Sequence, residues 1–462
     1  MYKPYLIIVI LFFTIVILIG MISSQKVKND EDWLIARHSL ETLPSIGTYF
    51  ASIVSSVSII SYVGYCYFNG WGGIWVFSGT FLTSILAVFF YAARLRKVGE
   101  VSLPDYLEVR FCKTESIMAA VLILISSVFM LCAQVAAGTL VLKIITGWET
   151  LPCIVILCVV LIVLTSAGGM VSVAWTDTFC ALVMFLGVWI MAFSMLRKIG
   201  GFSSMQQALY NIDSGYMDSM SIGIPMILSW IFTWGVGNYG VPHFVTRFFA
   251  VKDEKTAKRS QMWCLLLFLL FDIPLLLIGL AGIIAKPGIQ VQDEVTGILI
   301  QDFLHPVTGG VIFAAILAGC ISTADSILLL ASTTVSNDIY KKIINKNASF
   351  RQILFVSRIS TCMIGGLAII TTFLNTDAIL WIQVRMVTIM GAAMAPSVMI
   401  GIAWKRANAT GGMLSFVAGL STAVAWYILD QPFDLMPMLP AFGAGTFFMV
   451  AGSLIGEKNG EK

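Results

Sequence analysis

Thirteen long apolar runs divide this sequence, and they constrain its fold more than any other feature. Each run is close to the roughly 20 residues that an α-helix needs to cross a lipid bilayer. The runs lie near residues 4–24, 44–67, 73–94, 116–146, 150–167, 173–196, 222–248, 260–285, 306–336, 351–374, 378–403, 409–428 and 438–456. Only 11% of the residues are charged, whereas soluble domains are about 25% charged. The pattern predicts an all-α polytopic membrane protein with about 13 transmembrane helices, and it excludes an ordinary soluble enzyme or nucleic-acid-binding protein.

The distribution of basic residues predicts which helix ends face the cytoplasm. If the N-terminus is outside, the cytoplasmic segments hold 21 of the 28 lysines and arginines, as the positive-inside rule requires. An odd number of spans then puts the C-terminus in the cytoplasm, so we expect a multi-pass protein of the plasma membrane. The first run is longer than the apolar part of a signal peptide, and no small-residue cleavage site follows it. We therefore interpret it as a retained helix.

The nine cysteines give no sign of a disulfide framework or a zinc site. Their number is odd, and no CxxC pair is matched by a second pair. Almost all of them lie in apolar runs, where a cysteine is usually a small buried hydrophobic residue.

Small polar residues are concentrated in the second apolar run. This run contains Ser52, Ser55, Ser56, Ser58, Ser61 and Gly64. Broken helices whose unwound carbonyl groups face a cavity are common cation sites in secondary transporters. The same residues would also suit a close-packed face between two helices, and from the residues alone both interpretations stay open.

The ninth apolar run carries a polar face and a charge. Its predicted helix has on one side Gly319, Ser322, Thr323 and Ser326. This face offers one carbonyl and three hydroxyl oxygens, and hard cations prefer oxygen ligands. Asp325 is charged inside a span, where a charge is costly and usually functional. The run indicates a sodium site, with a polar packing seam as the alternative.

Two further polar residues have a structural explanation beside a functional one. Asp177 lies near the start of the sixth span, where the helix dipole favours an acid. His243 follows Pro242, so we expect a hydrogen-bonded residue at a kink rather than a proton relay.

Two arginines lie within predicted spans and need partners because buried charges are usually paired. Arg358 is close enough to the inner end to reach the membrane interface, or it pairs with Asp177 or Asp325. For Arg385 two roles stay open, which are a bidentate contact with a solute carboxylate and neutralisation of Asp272.

Four segments of the sequence together form a specific pattern. They are GGMVSVAWTD (168–177), GVPHFVTRFFAVKDEKTAKR (240–259), ISTADS with SNDIYKK (321–326 and 336–342) and AWKRANATGGM (403–413). The pattern resembles the sodium:solute symporter family, which includes carriers of proline, pantothenate, sugars and sialic acid, and the similarity covers nearly the whole chain. The PHxxxRF segment places it nearer the proline and pantothenate carriers than the sugar carriers.

This resemblance implies a ten-helix core of the LeuT type, made of two inverted five-helix repeats at residues 44–196 and 222–403. Residues 1–43 would form an extra transmembrane helix and a cytoplasmic loop. Residues 404–462 would form two more helices and a short cytoplasmic tail. The family consists of carriers rather than enzymes, with Na⁺ as the coupling ion and no organic cofactor. A small-molecule solute and the lipid bilayer are the implied partners, without an obligatory protein partner.

The resemblance also implies positions for ions and solute. The sodium ion would be held by carbonyl or hydroxyl oxygens of Val54, Val57, Gly319, Ser322 and Thr323. A second sodium ion, which some members hold, would use Asp177, Ser322, Asp325 and Ser326. The solute would contact Ser56, Ile60, Gly64, Gln134, Trp234, Asn238 and Pro242, with Arg385 as a further candidate.

We therefore expect a sodium-coupled symporter that imports a small organic solute by alternating access. The family's proline carriers have an aspartate where this chain has Ser56, and their Trp-x-x-x-Tyr pattern is replaced here by Trp234 and Asn238. A strict proline carrier is not expected for this reason, and an organic anion or an amino acid is favoured.

Three other functions stay as alternatives. A proton-coupled carrier of the same fold would use Asp177, Asp325 or His243. A channel is less expected because no filter-like loop or ring of acids is evident, and a transporter-like sensor is least expected because the predicted tail carries no output domain. The sequence has no Walker-type GxxxxGK[ST] segment and no HExxH segment, so neither ATP hydrolysis nor zinc peptidase chemistry is expected.

Overall fold

The computed structural model describes residues 3–25, 29–100, 102–375 and 377–456. Its helices, in chain order, are α1 (Lys3–Ser24), α2 (Asp30–Ile35), α3 (Thr42–Ile53), α4 (Val63–Asn69), α5 (Ser78–Leu86), α6 (Ala92–Val98), α7 (Leu103–Arg110), α8 (Lys113–Thr146), α9 (Thr150–Lys198), α10 (Phe202–Ile212), α11 (Gly223–Gly235), α12 (Pro242–Ala250), α13 (Glu254–Ala285), α14 (Val295–Phe303), α15 (Pro306–Thr333), α16 (Phe350–Leu374), α17 (Ile379–Ala403), α18 (Ala409–Ile428) and α19 (Met438–Ile455). Parts of the predicted terminal segments, residues 1–2, 26–28 and 457–462, lie outside the described residues.

Several short segments of tighter or wider helix connect these elements. The π-helical segments are Ser58–Tyr62, Ala87–Tyr91 and Thr334–Ile344. The longest 3-10 segments are Gly70–Phe77, Ser214–Met217 and Gly237–Gly240. Such segments often mark functional positions within helical proteins, and two of them adjoin the helix breaks described below.

Ten helices in the described part of the chain are long and apolar enough to cross a membrane. This agrees with the predicted all-α polytopic class, whereas the number of thirteen spans is not confirmed. One continuous stretch, Ser58–Val98, covers the second half of the second predicted span together with the third. The predicted spans at 150–167 and 222–248 fall on the shorter helix Thr150–Ser166 and on the interrupted pair α11 and α12. Apolar length alone does not reveal such interruptions.

The helix α9 changes direction at Gly169, where φ is 57° and ψ is −168°. Glycine suits this position because L side chains rarely adopt a positive φ. Trp33 also packs closely against it, since a Cβ atom on Gly169 would lie 2.8 Å from Cε3 of Trp33. The turn separates the predicted fifth and sixth spans.

Two helices of the bundle are interrupted near their middles. The first consists of α3 and α4, and the backbone between them is extended at Val54, with ψ of 129°. The second consists of α11 and α12, with an extended residue at Val241. Pro242 begins α12 because it has no N–H to donate to the preceding turn.

Serine side chains satisfy the backbone at the first break. The N–H of Ser55 donates to Oγ of Ser58 at 3.2 Å, and the N–H of Val57 donates to Oγ of Ser55 at 3.2 Å. In a continuous helix the N–H of Ser55 would donate to the carbonyl of Ala51. That carbonyl is therefore free to accept a hydrogen bond from another element.

The two interrupted helices lie side by side, so that α3 packs against α12 and α4 packs against α11. In one pair of halves, the ring of Tyr49 on α3 lies 5.2 Å from the ring of Phe248 on α12. In the other pair, Tyr65 on α4 lies 5.2 Å from Trp230 on α11, whose Nε1 donates to the Tyr65 hydroxyl at 3.0 Å. The two breaks are therefore neighbours. That these helices begin two inverted repeats remains a prediction.

Main-chain hydrogen bonds also join the start of α3 to the end of α12. The N–H of Leu40 donates to the carbonyl of Ala250 at 3.2 Å, and the N–H of Lys252 donates to the carbonyl of Leu40 at 2.9 Å. This is the isolated strand-type bridge of the described residues. His38 adds a contact of 2.6 Å between its Nδ1 and the carbonyl of Phe249.

The helix α15 is the centre of the bundle. It packs against α1, α3, α8 and α9, and every side chain from Ile312 to Thr333 is buried. Polar groups on such a helix need partners inside the protein. The nine cysteines are free and seven of them are buried, in agreement with their predicted role as small buried residues.

Candidate functional site

The break between α3 and α4 lies directly against α15. Gly319 on α15 permits this close approach because it has no side chain. A Cβ atom on Gly319 would lie 2.5 Å from the backbone N of Ser56 and 2.7 Å from the carbonyl carbon of Ser55. Neither distance is compatible with a side chain, so the unwound backbone touches the α15 backbone itself.

Two hydroxyl groups of α15 converge on the carbonyl that the break leaves free. Ser322 donates to the carbonyl of Ala51 at 3.2 Å, and Thr323 donates to the same oxygen at 3.3 Å. Ser322 also lies 3.3 Å from the carbonyl oxygen of Gly319. Two carbonyl and two hydroxyl oxygens are thus gathered at one buried place, a donor set that suits a hard monovalent cation.

The predicted sodium ligands are largely brought together, with one addition. Val54 and Val57 are buried at the break, and Gly319, Ser322 and Thr323 face it. The addition is Ala51, one helical turn before Val54. A carbonyl in the last turn of a helix has no helical partner, but no side chain in the sequence marks which carbonyl this is.

Two of the residues predicted for a second sodium ion, Asp177 and Ser326, contact a guanidinium group. Arg247 on α12 and Asp177 on α9 form a buried ion pair at 3.6 Å. Arg247 also donates to the hydroxyl of Ser326 and, at 3.2 Å, to that of Ser52. Thr48 donates to Asp177 at 2.6 Å.

Asp325 completes this group as a second buried acid. It is 4% exposed, and its Oδ1 has no hydrogen-bond partner among the described residues. Arg247 is not among the site residues predicted from the sequence, because there it counts only as one of the 21 basic residues on the cytoplasmic side. The only signal was an arginine inside the apolar segment FVTRFFAV. Arg247, rather than Arg358, is the partner of Asp177, because Arg358 donates to the carbonyl of Ser166 at 3.2 Å.

Ser56 and Gln134, two of the predicted solute contacts, are hydrogen-bonded to each other. The Ser56 hydroxyl donates to Oε1 of Gln134 at 2.8 Å, and Nε2 of Gln134 donates to Oγ of Ser55 at 3.4 Å. The carbonyl of Gln134 accepts from the thiol of Cys320 at 3.2 Å. This pair ties α8 to the first break and to α15.

Trp234 and Asn238 lie at the second break and keep unused polar atoms. Nδ2 of Asn238 donates to the hydroxyl of Thr83 at 3.3 Å, and the Trp234 ring lies 6.2 Å from Tyr62 of the first interrupted helix. Nε1 of Trp234 and Oδ1 of Asn238 are buried without a partner within the described residues. One donor and one acceptor are therefore available to a solute.

Other predicted solute contacts lie elsewhere or have structural roles. Gly64 packs against the backbone of Gln292. Ile60 lines a cavity of about 250 Å³ beside Asp293 and Glu294. Pro242 serves as the first residue of α12.

Arg385 and His243 differ from what the sequence suggested. Arg385 is half-exposed and pairs with Asp377 at 2.5 Å, so it does not neutralise Asp272. Both ring nitrogens of His243 are buried without a hydrogen-bond partner in the described part of the chain. Its ring packs against Phe244 at 4.2 Å, so the expected hydrogen-bonded residue beside the kink is instead held by ring packing.

The fold and this site together define a class of protein. Interrupted helices that meet inside a helical bundle, with freed carbonyls at the breaks, are typical of secondary membrane transporters. The model of the sodium:solute symporter family matches residues 33–419, and the chain belongs to this family. With its ten long apolar helices, it is a multi-pass membrane protein of a transporter family.

Relatives match the chain over nearly its whole length. It is 25% identical to the high-affinity proline transporter PutP of Bacillus subtilis, over 95% of both proteins. It is 26% identical to the sodium/proline symporter of Salmonella typhimurium, over 96% of this chain and 91% of the relative. Both findings confirm the predicted family and its proline-carrier side.

Solved structures share the fold. A sodium-coupled sialic acid symporter in a substrate-bound outward-open state superposes with a TM-score of 0.86 at 19% identity, over 98% of both chains. The nucleobase-cation-symport-1 family transporter Mhp1 gives a TM-score of 0.61 at 15% identity, over 93% of this chain and 94% of the other. These neighbours have the LeuT-type architecture that the resemblance implied.

Proposed function

We propose that this protein is a sodium-coupled symporter that imports a small organic solute by alternating access. The observation that carries the proposal is the oxygen cluster at the first break. There the freed carbonyl of Ala51 faces the hydroxyls of Ser322 and Thr323. A sodium ion at this place would replace weak hydroxyl donation by direct coordination, and it would join α3 to α15. Membership of a sodium:solute symporter family supports the same conclusion.

The membrane potential supplies energy for such a cycle. Each positive charge that moves inward gains about 2.3 kcal/mol per 100 mV. A tenfold solute gradient costs ~1.4 kcal/mol. One sodium ion per cycle is therefore sufficient to concentrate a neutral or zwitterionic solute more than tenfold.

The solute site we propose lies between the two breaks. Ser56 and Gln134 supply a hydroxyl and an amide on one side, while Trp234 and Asn238 supply an unpaired indole N–H and amide oxygen on the other. These four side chains are neutral and form hydrogen bonds, and we propose an organic anion or an amino acid as the solute, as the sequence favours. Proline is the solute named for several relatives, and it is the first compound to test although Ser56 replaces their aspartate.

A screen of thermal stability tests the ion and the solute together. Purified protein is heated with proline, pantothenate, short-chain carboxylates or sialic acid, each in sodium and in potassium chloride. A ligand that binds only the folded protein raises its unfolding temperature. The proposal expects a compound that stabilises the protein in sodium and not in potassium. Equal stabilisation in both salts would contradict sodium coupling.

Two hydroxyl variants test the ion site itself. Ser322→Ala and Thr323→Ala each remove one oxygen from the cluster, and each should raise the sodium concentration for half-maximal stabilisation by about tenfold, equivalent to ~1.4 kcal/mol. Ser332→Ala is the matched control, because Ser332 is buried on the same helix and its hydroxyl donates only to the carbonyl of Leu329. An equal effect of the control would contradict the site.

A second sodium ion at Asp177, Ser322, Asp325 and Ser326 requires Arg247 to move away from these residues. The guanidinium already lies beside Asp177 and Ser326. We propose that, as long as Arg247 contacts Asp177 and Ser326, only the sodium site at Ser322 and Thr323 couples transport. A hyperbolic dependence of solute binding on sodium supports this reading, and a sigmoidal dependence that becomes hyperbolic in Ser326→Ala contradicts it.

Proton coupling is the second candidate function. It is favoured by the buried, unpartnered Oδ1 of Asp325 and the unpartnered ring of His243. It predicts solute uptake into liposomes that is driven by an inward proton gradient in the absence of sodium. Loss of that uptake in Asp325→Asn would assign the proton to Asp325.

A further inference from the structure

A cavity of about 390 Å³ lies beside α13. Its walls come from α13, from α5 and from the 3-10 segment that precedes α5. Most of its lining is apolar, and Asp272 on α13 is the one charged residue in that lining. This cavity is separate from both the oxygen cluster and the Arg247 group.

Asp272 is an unusual residue for such a place. It is 8% exposed, and its Oδ2 is buried without a hydrogen-bond partner in the described residues. The ion pairs found in the described part of the chain do not include it, and Arg385 pairs with Asp377 instead. A carboxylate in apolar surroundings is costly unless a cation accompanies it.

Aromatic side chains line the same cavity. Trp75, Phe77 and Phe81 contribute to its walls, and the faces of aromatic rings attract cations. A carboxylate opposite aromatic rings is a suitable site for an organic ammonium group, whose charge interacts with both.

The cavity opens on the apolar surface of the bundle. Leu269 and Ile273, which lie one turn apart beside Asp272, are 45% and 40% exposed. An occupant that reaches Asp272 along these residues needs an apolar body. The carboxylate of Asp272 favours a cation, and the apolar entrance favours an apolar body. Together they favour a lipophilic cation.

We propose that this cavity binds lipophilic ammonium ions, with Asp272 as the counter-ion and the three aromatic rings around the cationic end. The occupant would contact Phe77. The ring of Phe77 lies 5.5 Å from Tyr62, and Tyr62 lies 6.2 Å from Trp234. Binding would therefore reach the second break through two ring contacts. The inference does not depend on sodium coupling.

Binding of a matched pair of small molecules tests this inference. The probes are 2-phenylethylammonium and 2-phenylethanol, which are similar in size and differ in charge. Calorimetry in potassium chloride, without sodium, measures the Kd of each. The intact protein should bind the ammonium ion at least about tenfold more tightly, a difference of ~1.4 kcal/mol. Equal affinity for the two probes would overturn the proposal.

Two variants identify the site of binding. Asp272→Asn should remove the preference for the charged probe, whereas Asp430→Asn, at an exposed loop residue, should keep it. Phe81→Leu leaves the carboxylate in place and should weaken binding of the ammonium ion by removing one ring face. A preference that survives Asp272→Asn would overturn the proposal. Sodium-dependent stabilisation by a solute is measured separately, so its absence would affect only the proposed function.

Discussion

The side chain of Arg247 connects four helices of this bundle. It is 4% exposed and contacts residues of three other helices, namely Asp177 on α9, Ser52 on α3 and Ser326 on α15. Removing one member of a buried ion pair leaves the other charge without compensation. Arg247 therefore stabilises the protein where the interrupted helices, α9 and α15 meet.

We expect Arg247→Gln to lower the free energy of unfolding by about 3–5 kcal/mol, because Asp177 would be left charged and buried. Adding Asp177→Asn should recover part of that loss. Arg385→Gln is the control, since its pair with Asp377 is half-exposed and such pairs contribute about 1 kcal/mol or less. Denaturant unfolding measures all four proteins, and no recovery in the double variant would contradict the pairing.

At the scale of helices, the close approach of α15 to the first break is the decisive contact. It depends on Gly319, whose lack of a side chain allows the backbone of Ser55 and Ser56 to lie against α15. Gly366 on α16 is a glycine at which an added methyl group would meet no neighbour, since a Cβ atom there would have nothing within 4 Å.

Gly319→Ala should therefore push α15 away from the break and weaken sodium binding by at least about tenfold, or ~1.4 kcal/mol. Gly366→Ala makes the same chemical change in open space, and we expect it to leave sodium binding unchanged. The measurement is the sodium concentration that gives half of the maximal rise in unfolding temperature. Equal responses of the two variants would show that the approach of α15 does not matter for the ion.

Much of this arrangement could be predicted from the sequence. The parts that could not be predicted have physical causes. The long helices follow from the length of the apolar runs, and the facing of Ser322 and Thr323 follows from helical periodicity. The partnership of Arg247 with Asp177 and Ser326 could not be predicted, because the partners are about 70 to 80 residues away along the chain. The role of Ala51 depends on which carbonyl the break leaves free, and this is a property of the backbone rather than of the side chain.

At the scale of the whole molecule, the distribution of basic residues predicts the orientation in the membrane. With the N-terminus outside, Lys143 lies at the outer end of the predicted span 116–146, and Lys346 lies in the predicted cytoplasmic loop between the spans 306–336 and 351–374. Both side chains are exposed in the structure. They are suitable markers for the two faces of the bundle.

We expect Lys143→Cys to react with a membrane-impermeant maleimide on intact cells, and Lys346→Cys to react only after the cells are permeabilised. Both changes are made in a Cys362→Ser background, because Cys362 is the exposed native cysteine. The reverse labelling pattern would contradict the predicted orientation with the N-terminus outside and the C-terminus in the cytoplasm.

The bridge between Leu40 and Val251 has a mechanical consequence. Since main-chain hydrogen bonds tie the start of α3 to the end of α12, a tilt of one of these half-helices carries the other with it. The natural hinges are the two breaks, where helical hydrogen bonds are already missing. The half-helices α3 and α12 would then move as one unit about the two neighbouring breaks. A ligand that stiffens either break would therefore restrict the tilt of both half-helices together.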